Sequence, residues 1–293
     1  MEKAYNSLNL LDFQQRFCTD NQCLAYLAAE KWKNGYTCSK CGHTHYCQGN
    51  TLYSRQCTRC KQTDSPTSGT LFHKVKFPLL KAFYIVYFVS TSKKGISSTE
   101  LSRKLGLRQK TCWYFKRKVM KAMESNGNYP LEGNVDVDEF FVGRQESGKK
   151  GRGKVNKKLV VFAIEKRGKG ISRMYGKVIE QANAKNLGDF MRAKIKPQSN
   201  IKTDKWHGYK PLKSEFKNLI QLSSGEKGGN FPEIHRAVML FKAWLRGIHH
   251  RITDLQAYID EYTYRFNRNY MKTSIFDNLI IRMINTKSYY LYA

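Results

Sequence analysis

The sequence predicts a multi-domain chain of mixed α+β and α/β class, and three observations carry that prediction. Two CxxC pairs stand close together near the N-terminus, a basic pair of helical patterns follows around a glycine, and the remainder alternates strand-like with helix-like segments. The corresponding sections run over residues 1–70, 71–128 and 129–293. At 293 residues the chain exceeds one typical domain and has room for a sizeable core.

Charge narrows the partner before any motif is considered. Lys and Arg number 52 against 23 Asp and Glu, a formal net charge of +29. Such a surplus repels itself unless a polyanion usually lies against it, and nucleic acid is the leading candidate. An anionic membrane fits less well, because no apolar run reaches the roughly 20 residues that span a bilayer and the basic residues are spread along the chain. The opening "MEKAYNSLNLLDFQQRF" has no basic stretch followed by an apolar one, so it does not read as a secretory signal. The expectation is a reducing, cytoplasmic location, nucleoid-associated in a prokaryote. There, eight cysteines are thiols or metal ligands rather than disulfides.

The first section opens with a helical pattern over "NLLDFQQRFCTDNQCLAYLAAEKW", whose apolar residues recur at three- and four-residue spacing. Then come Cys38-x2-Cys41 and Cys57-x2-Cys60, separated by fifteen residues. At that spacing two short hairpins bring four thiolates around one tetrahedral Zn²⁺, as in a zinc ribbon. Four cysteines close the coordination sphere, so the zinc is expected to be structural and to supply folding energy rather than chemistry. His43, His45 and Cys47 lie in the intervening loop as alternative ligands. Cys18, Cys23 and Cys112 sit in helical patterns and read as small core residues.

In the second section, "KGISSTELSRKLGLRQKTCWYFKRKVMKAM" places Ser98 or Thr99 as a cap for a first helix and Gly106 in a tight turn. A second helix from about Arg108 sends Trp113, Val119 and Met120 toward a core. That is a helix-turn-helix pattern. Arg108, Gln109, Lys110, Lys116, Arg117 and Lys118 are its candidate DNA-binding residues, with the polar "RQKT" at the helix start where base-edge contacts are made. The plainer alternative is a helical hairpin with a solvated basic face.

The third section begins with "NVDVDEFFVG", in which Val135, Val137, Glu139 and Phe141 point one way and Asp136, Asp138, Phe140 and Val142 the other. Two more strands, "KKLVVFAIEKRG" and "GISRMYGKVIEQ", a helix over "NAKNLGDFMRAKI" and a short strand ending at Asp204 follow. The β-β-β-α-β order is that of an RNase-H-like core, in which the first and fourth strands lie side by side. Acids on both would then converge. In-line displacement at a phosphodiester benefits from two divalent cations, and hard cations such as Mg²⁺ take carboxylate oxygen. The stretch "GRQESGKKGRGKVNKK" between the first two strands reads as a basic loop.

The segments "VDVDEFFVG", "GRGKVNKKLVVFAIE", "IKTDKWHGYKPL", "EIHRAVMLFKAWLRGIHHRI" and "LQAYIDEYTYRFNRN" occur in order over about 134–269. Together with the zinc and helix-turn-helix sections, they make the chain resemble insertion-sequence DDE-type transposases. The resemblance implies that Asp138 is the first catalytic aspartate and Asp204 the second, both metal ligands for Mg²⁺ or Mn²⁺, with Asp136 as the alternate. At the third position the group carries Asn, His or Glu followed seven residues later by Lys, which here matches His235 and Lys242. Seven residues make almost two helical turns, so the two project from nearly one face. Glu233 and Glu226 compete for His235's role. Glu261, Arg265, Asn267 and Arg268 fall in the family's closing helices as fold and DNA-backbone residues.

The implied function is a transposase that binds element ends and catalyses metal-dependent DNA strand cleavage and strand transfer, working as a homo-oligomer on DNA. The alternatives are a non-catalytic DNA-binding regulator with a degenerate RNase-H-like domain, and a nuclease of the same fold without strand transfer.

Overall fold

The computed structural model describes residues 8–125, 127–143, 157–168, 170–248, 254–268 and 275–287. The chain forms two compact units, one of Met1–Met123 with Tyr270–Ala293 and the other of Glu124–Asn269. The four-cysteine and helical sections therefore share a unit, and the segment after residue 269, expected with the C-terminal core, belongs with them.

In the first unit, α1 (Leu10–Arg16) and α2 (Asp20–Lys31) replace the single helix read from the sequence. The break has a local cause. Thr19 is extended, its hydroxyl accepts from the Gln22 N–H, and the Gln22 side chain accepts from the Thr19 N–H, a reciprocal cap that starts a new helix. Cys18 is exposed at this break, whereas Cys23 and Cys112 are buried as expected. Next, β1 (Tyr46–Gln48), β2 (Arg55–Cys57) and β3 (Thr63–Asp64) form an antiparallel sheet in sequence order.

Three helices follow: α3 (Leu79–Thr91), α4 (Ser98–Leu105) and α5 (Gln109–Met123). α3 is apolar almost all round and buries Leu79, Ala82, Phe83, Ile85, Val86, Tyr87 and Val89, which makes it the central helix. Ser97, not Ser98 or Thr99, caps α4 by accepting from the Glu100 N–H. Gly106 ends α4 in the left-handed region at φ 59°, where a side chain would be strained.

The second unit is built on β4 (Asn134–Val142), β5 (Lys158–Arg167), β6 (Gly170–Ile179), α6 (Ala184–Lys194), β7 (Asn200–Thr203), β8 (Leu219–Gln221), α7 (Pro232–Ile248) and α8 (Leu255–Phe266). The sheet order is β6-β5-β4-β7-β8, with β4, β5 and β6 antiparallel, β7 parallel to β4, and β8 parallel to β7. This is the expected RNase-H-like arrangement, extended by β8, which the sequence reading did not anticipate. Most of the basic loop after β4, residues 144–156, lies outside the described residues.

The pleat sorts β4 into two faces. Val135 and Val137 pack with Leu187, Phe190 and Met191 of α6, while Phe140 meets Phe162 of β5 and Phe241 of α7 at ring separations of 4.8 and 6.3 Å. Two side-chain amides of the α8 segment close the open edge of β6. Asn267 accepts from the Met174 N–H and donates to the Met174 carbonyl, both at 2.8 Å. Gln256 accepts from the Val178 N–H at 2.9 Å and donates to the Gly176 carbonyl at 3.3 Å. An edge so covered cannot template another strand.

After the second unit the chain forms α9 (Ile275–Asn285) in the first. Its Phe276 ring lies 5.5, 5.7 and 6.0 Å from the rings of Phe13, Phe17 and Phe83, and Asp277 pairs with Arg16 at 2.8 Å and accepts from the Tyr26 hydroxyl at 2.7 Å. No helix among the described residues is long and apolar enough to cross a membrane.

Candidate metal centre and DNA interface

The four ribbon cysteines converge. The sulfurs of Cys38, Cys41, Cys57 and Cys60 all lie within 4.8 Å of one another, with Cys38 to Cys60 at 3.5 Å and Cys41 to Cys57 at 3.7 Å. A tetrahedron with Zn–S bonds of about 2.3 Å has edges of about 3.8 Å, so the donor set fits Zn²⁺. The knuckle backbones point N–H groups at thiolates, Lys40 to Cys38 at 3.4 Å and Cys60 to Cys57 at 3.5 Å. Asp64 braces the first knuckle by accepting from the Ser39 and Tyr36 hydroxyls at 2.6 and 2.9 Å. The alternative ligands point elsewhere: His43 bonds Thr58 at 3.1 Å, His45 is exposed, and Cys47 faces the Gln56 carbonyl.

In the α4–α5 pair, Arg108, Gln109 and Lys110 are exposed at the start of α5. Gln109 is also tethered, donating to the Ser98 hydroxyl at 2.7 Å. Lys116 and Lys118 correct the reading. Lys116 is 3% exposed and donates to the Ile96 carbonyl at 2.8 Å, because it falls one turn from buried Cys112 and buried Met120 on the inward stripe. Lys118 donates to the His73 carbonyl at 3.3 Å, and burial lowers its pKa. Arg117 is half-buried, 5.9 Å from the Trp113 ring, and Trp113 itself is only partly covered.

In the second unit, β4 and β7 run parallel with Val137 opposite Thr203, so Asp204, the next residue, falls beside Asp138. His235, in the first turn of α7, brings Nε2 to 3.5 Å from Asp138 Oδ2. Lys242, two turns on, lies over the Phe140 ring at 5.1 Å. Asp138 registers all of these groups. Burial first, then repulsion from Asp204, pushes its pKa up to about 6, while His235 and Lys242 pull it down. Burial lowers the Lys242 pKa, against the attraction of Asp138.

The competing acids have other surroundings. Asp136 is 1% exposed and held by Lys166 at 2.8 Å, so it is occupied as a buried ion pair rather than available as an alternate first acid. Glu233 acts on Asp136, and Glu226 is exposed in the turn before α7. Glu261 is fully buried with Arg265 3.5 Å away, and Asn267 closes the sheet edge, both roles in the fold. Arg268 is partly covered, stacked 3.9 Å from the Tyr264 ring. Gly228 was not singled out from the sequence. A Cβ there would stand 2.5 Å from the His235 ring, and at φ +78° the position suits glycine alone, so the turn can close over that imidazole.

Comparison with known proteins gives these groups a context. Residues 130–267 match the model of the ISXO2-like transposase domain, and residues 18–63 match that of the transposase zinc-ribbon domain. An uncharacterized protein in transposable element ISH50 of Halobacterium salinarum is 24% identical over 213 residues, 67% of this chain and 71% of its own length. The crystal structure of a pre-cleavage Mos1 transpososome is 10% identical with a TM-score of 0.30, covering 70% of this chain and 79% of that one.

Proposed function

We propose that this chain, an insertion-sequence DDE transposase by its two matched domains, cuts and joins DNA at Asp138 and Asp204, with His235 and Lys242 completing the site. The observation that carries the reading is the meeting of four chemically suited side chains from three elements. Asp138 on β4 has His235 at 3.5 Å, and the charges of Asp204 and Lys242 both act on it.

Burial and the neighbouring Asp204 charge make ionisation of Asp138 costly, and a divalent cation between the two carboxylates would offset that repulsion. Mg²⁺ or Mn²⁺ held by Asp138 and Asp204 would activate the attacking oxygen and stabilise the leaving one. Asp138 and Asp204 fix where the reacting phosphate must lie. His235 orients Asp138 from the side, and Lys242 offers a positive charge to the phosphate on the same helix face. Water attacks phosphorus first and the P–O3′ bond breaks; the freed 3′-hydroxyl then attacks a phosphorus of target DNA, whose own P–O3′ bond breaks and leaves a 3′-hydroxyl on the target strand. A dimer or larger assembly on paired element ends is part of the proposal.

The test uses labelled element ends, a target plasmid and either Mg²⁺ or Mn²⁺, beside a gel-shift titration. Asp138→Asn and Asp204→Asn should each remove strand cleavage, with DNA affinity held or slightly raised because a negative charge is gone. Replacing His235 by Ala should be milder. Cleavage at the parental rate in both Asn variants would remove these two residues from the chemistry. A parent that binds the ends without cutting them would turn the reading to a DNA-binding regulator, and cleavage without joining in the parent to a nuclease.

A further inference from the structure

Adjacent residues on a strand face opposite sides of the sheet, so Asp138 and Glu139 cannot share one task. Asp138 lies on the Phe140 side. Glu139 lies on the other, where the Tyr209 hydroxyl donates to its Oε2 at 2.9 Å. Tyr209 is fully buried in the core that holds Val137, Leu187 and Leu212. A phenol donating to a carboxylate in such a place is a strong, charge-assisted hydrogen bond, and losing either partner strands the other away from water. Burial, followed by the Glu139 and Asp138 charges, holds the Tyr209 hydroxyl protonated far above its ordinary pKa.

Tyr209 belongs to the same short segment as Asp204. Asp204 Oδ1 accepts from the Trp206 N–H at 3.0 Å, the Tyr209 N–H donates to the Trp206 carbonyl at 3.2 Å, and the Trp206 indole donates to the Ala182 carbonyl at 2.6 Å. Gln221 of β8 donates to the carbonyls of Asp204 and Trp206 at 3.3 and 3.0 Å. At Gly208 the Ala182 carbonyl oxygen occupies the space a Cβ would need. A segment bonded at this density shifts as a piece. Beyond the β4–β7 pairing, which ends at Val137 and Thr203, the Tyr209–Glu139 hydrogen bond ties this segment to β4.

Resting on the reading that Asp138 and Asp204 hold the catalytic cations, we propose that Glu139 and Tyr209 are positioning residues, whose hydrogen bond ties the Asp204 segment to β4 and sets the separation of the two metal-binding carboxylates. Glu139 is thus an acid of the site that neither binds the cation nor touches DNA.

The experiment uses the full chain. Mn²⁺ affinity is measured by electron paramagnetic resonance without DNA, and cleavage of labelled ends is followed against Mn²⁺ concentration for the parent, Tyr209→Phe, Glu139→Gln and Asp138→Asn. Tyr209→Phe should weaken Mn²⁺ binding and slow cleavage by about 10–100-fold, the usual cost of losing a partner behind a metal ligand, with DNA affinity unchanged. Glu139→Gln keeps an acceptor but no charge and should fall between Tyr209→Phe and the parent. A lowered melting temperature with parental Mn²⁺ affinity would mean a purely structural bond and overturn the proposal. Should Tyr209→Phe not fold, parental Mn²⁺ affinity in Glu139→Gln overturns it equally. The two readings fail separately: parental cleavage by Asp138→Asn removes the catalytic assignment, whereas an inactive Asp138→Asn beside an unaffected Tyr209→Phe removes only the positioning role.

Discussion

Arg108 and Lys116 stand two turns apart on one stretch of chain, yet one is in water and the other under the core. Their substitutions should separate accordingly. Arg108→Ala should reduce the preference for element ends over random DNA by about 1–3 kcal/mol, the range for a base-reading arginine. Lys116→Met should leave both that preference and the salt dependence unchanged while altering thermal stability, because its ammonium serves the Ile96 carbonyl and its stem the core. Gel shifts over a salt series, with melting curves, distinguish the two; a flattened salt dependence in Lys116→Met would place that lysine on DNA after all. Charge made Lys116 look like a DNA contact in the sequence, and period 3.6 should have corrected it, since it continues the stripe of Cys112 and Met120. Asp138 and Asp204 were legible because alternation and strand order bring them together. The hydrogen bond of Glu139 was not, because its partner Tyr209 lies seventy residues away.

At the scale of elements, the zinc ribbon is the clearest case of local sequence dictating structure. Paired CxxC turns at this spacing leave few other arrangements, and the four sulfurs lie on the edges such a site needs. Cys57→Ser should lower zinc content and loosen residues around β1 to β3 while the Glu124–Asn269 unit stays folded, as elemental analysis and limited proteolysis would report. Equal zinc in mutant and parent would count against the four-cysteine assignment. The strands β4 to β7 and helix α6 were visible as alternation and as helical period. The division of α1 from α2 was hidden, because the apolar spacing runs on through Phe13 and Phe17 and hydrophobic period does not register the Thr19–Gln22 cap. Three-residue β8 is too short to show any period.

Across the whole molecule, the second unit interrupts the first in sequence, and α9 returns to finish a core begun by α1, α2 and α3. Composition and motifs placed α9 with the catalytic region because it follows that region directly; nothing local in "IFDNLIIRMIN" names a partner more than 180 residues upstream. Phe276→Ala should destabilise the first unit by about 3–5 kcal/mol, as loss of a buried aromatic ring does, and leave the second unit's melting transition in place. Calorimetry that resolves the two transitions checks this, and a shift in the second transition alone would contradict it. This connectivity also orders events during protein synthesis. The ribosome completes every described strand of the second unit before it makes the helix that closes the first. A message broken or mistranslated shortly before Ile275 would yield chains with every residue of the second unit but a first unit lacking the helix that fills its core.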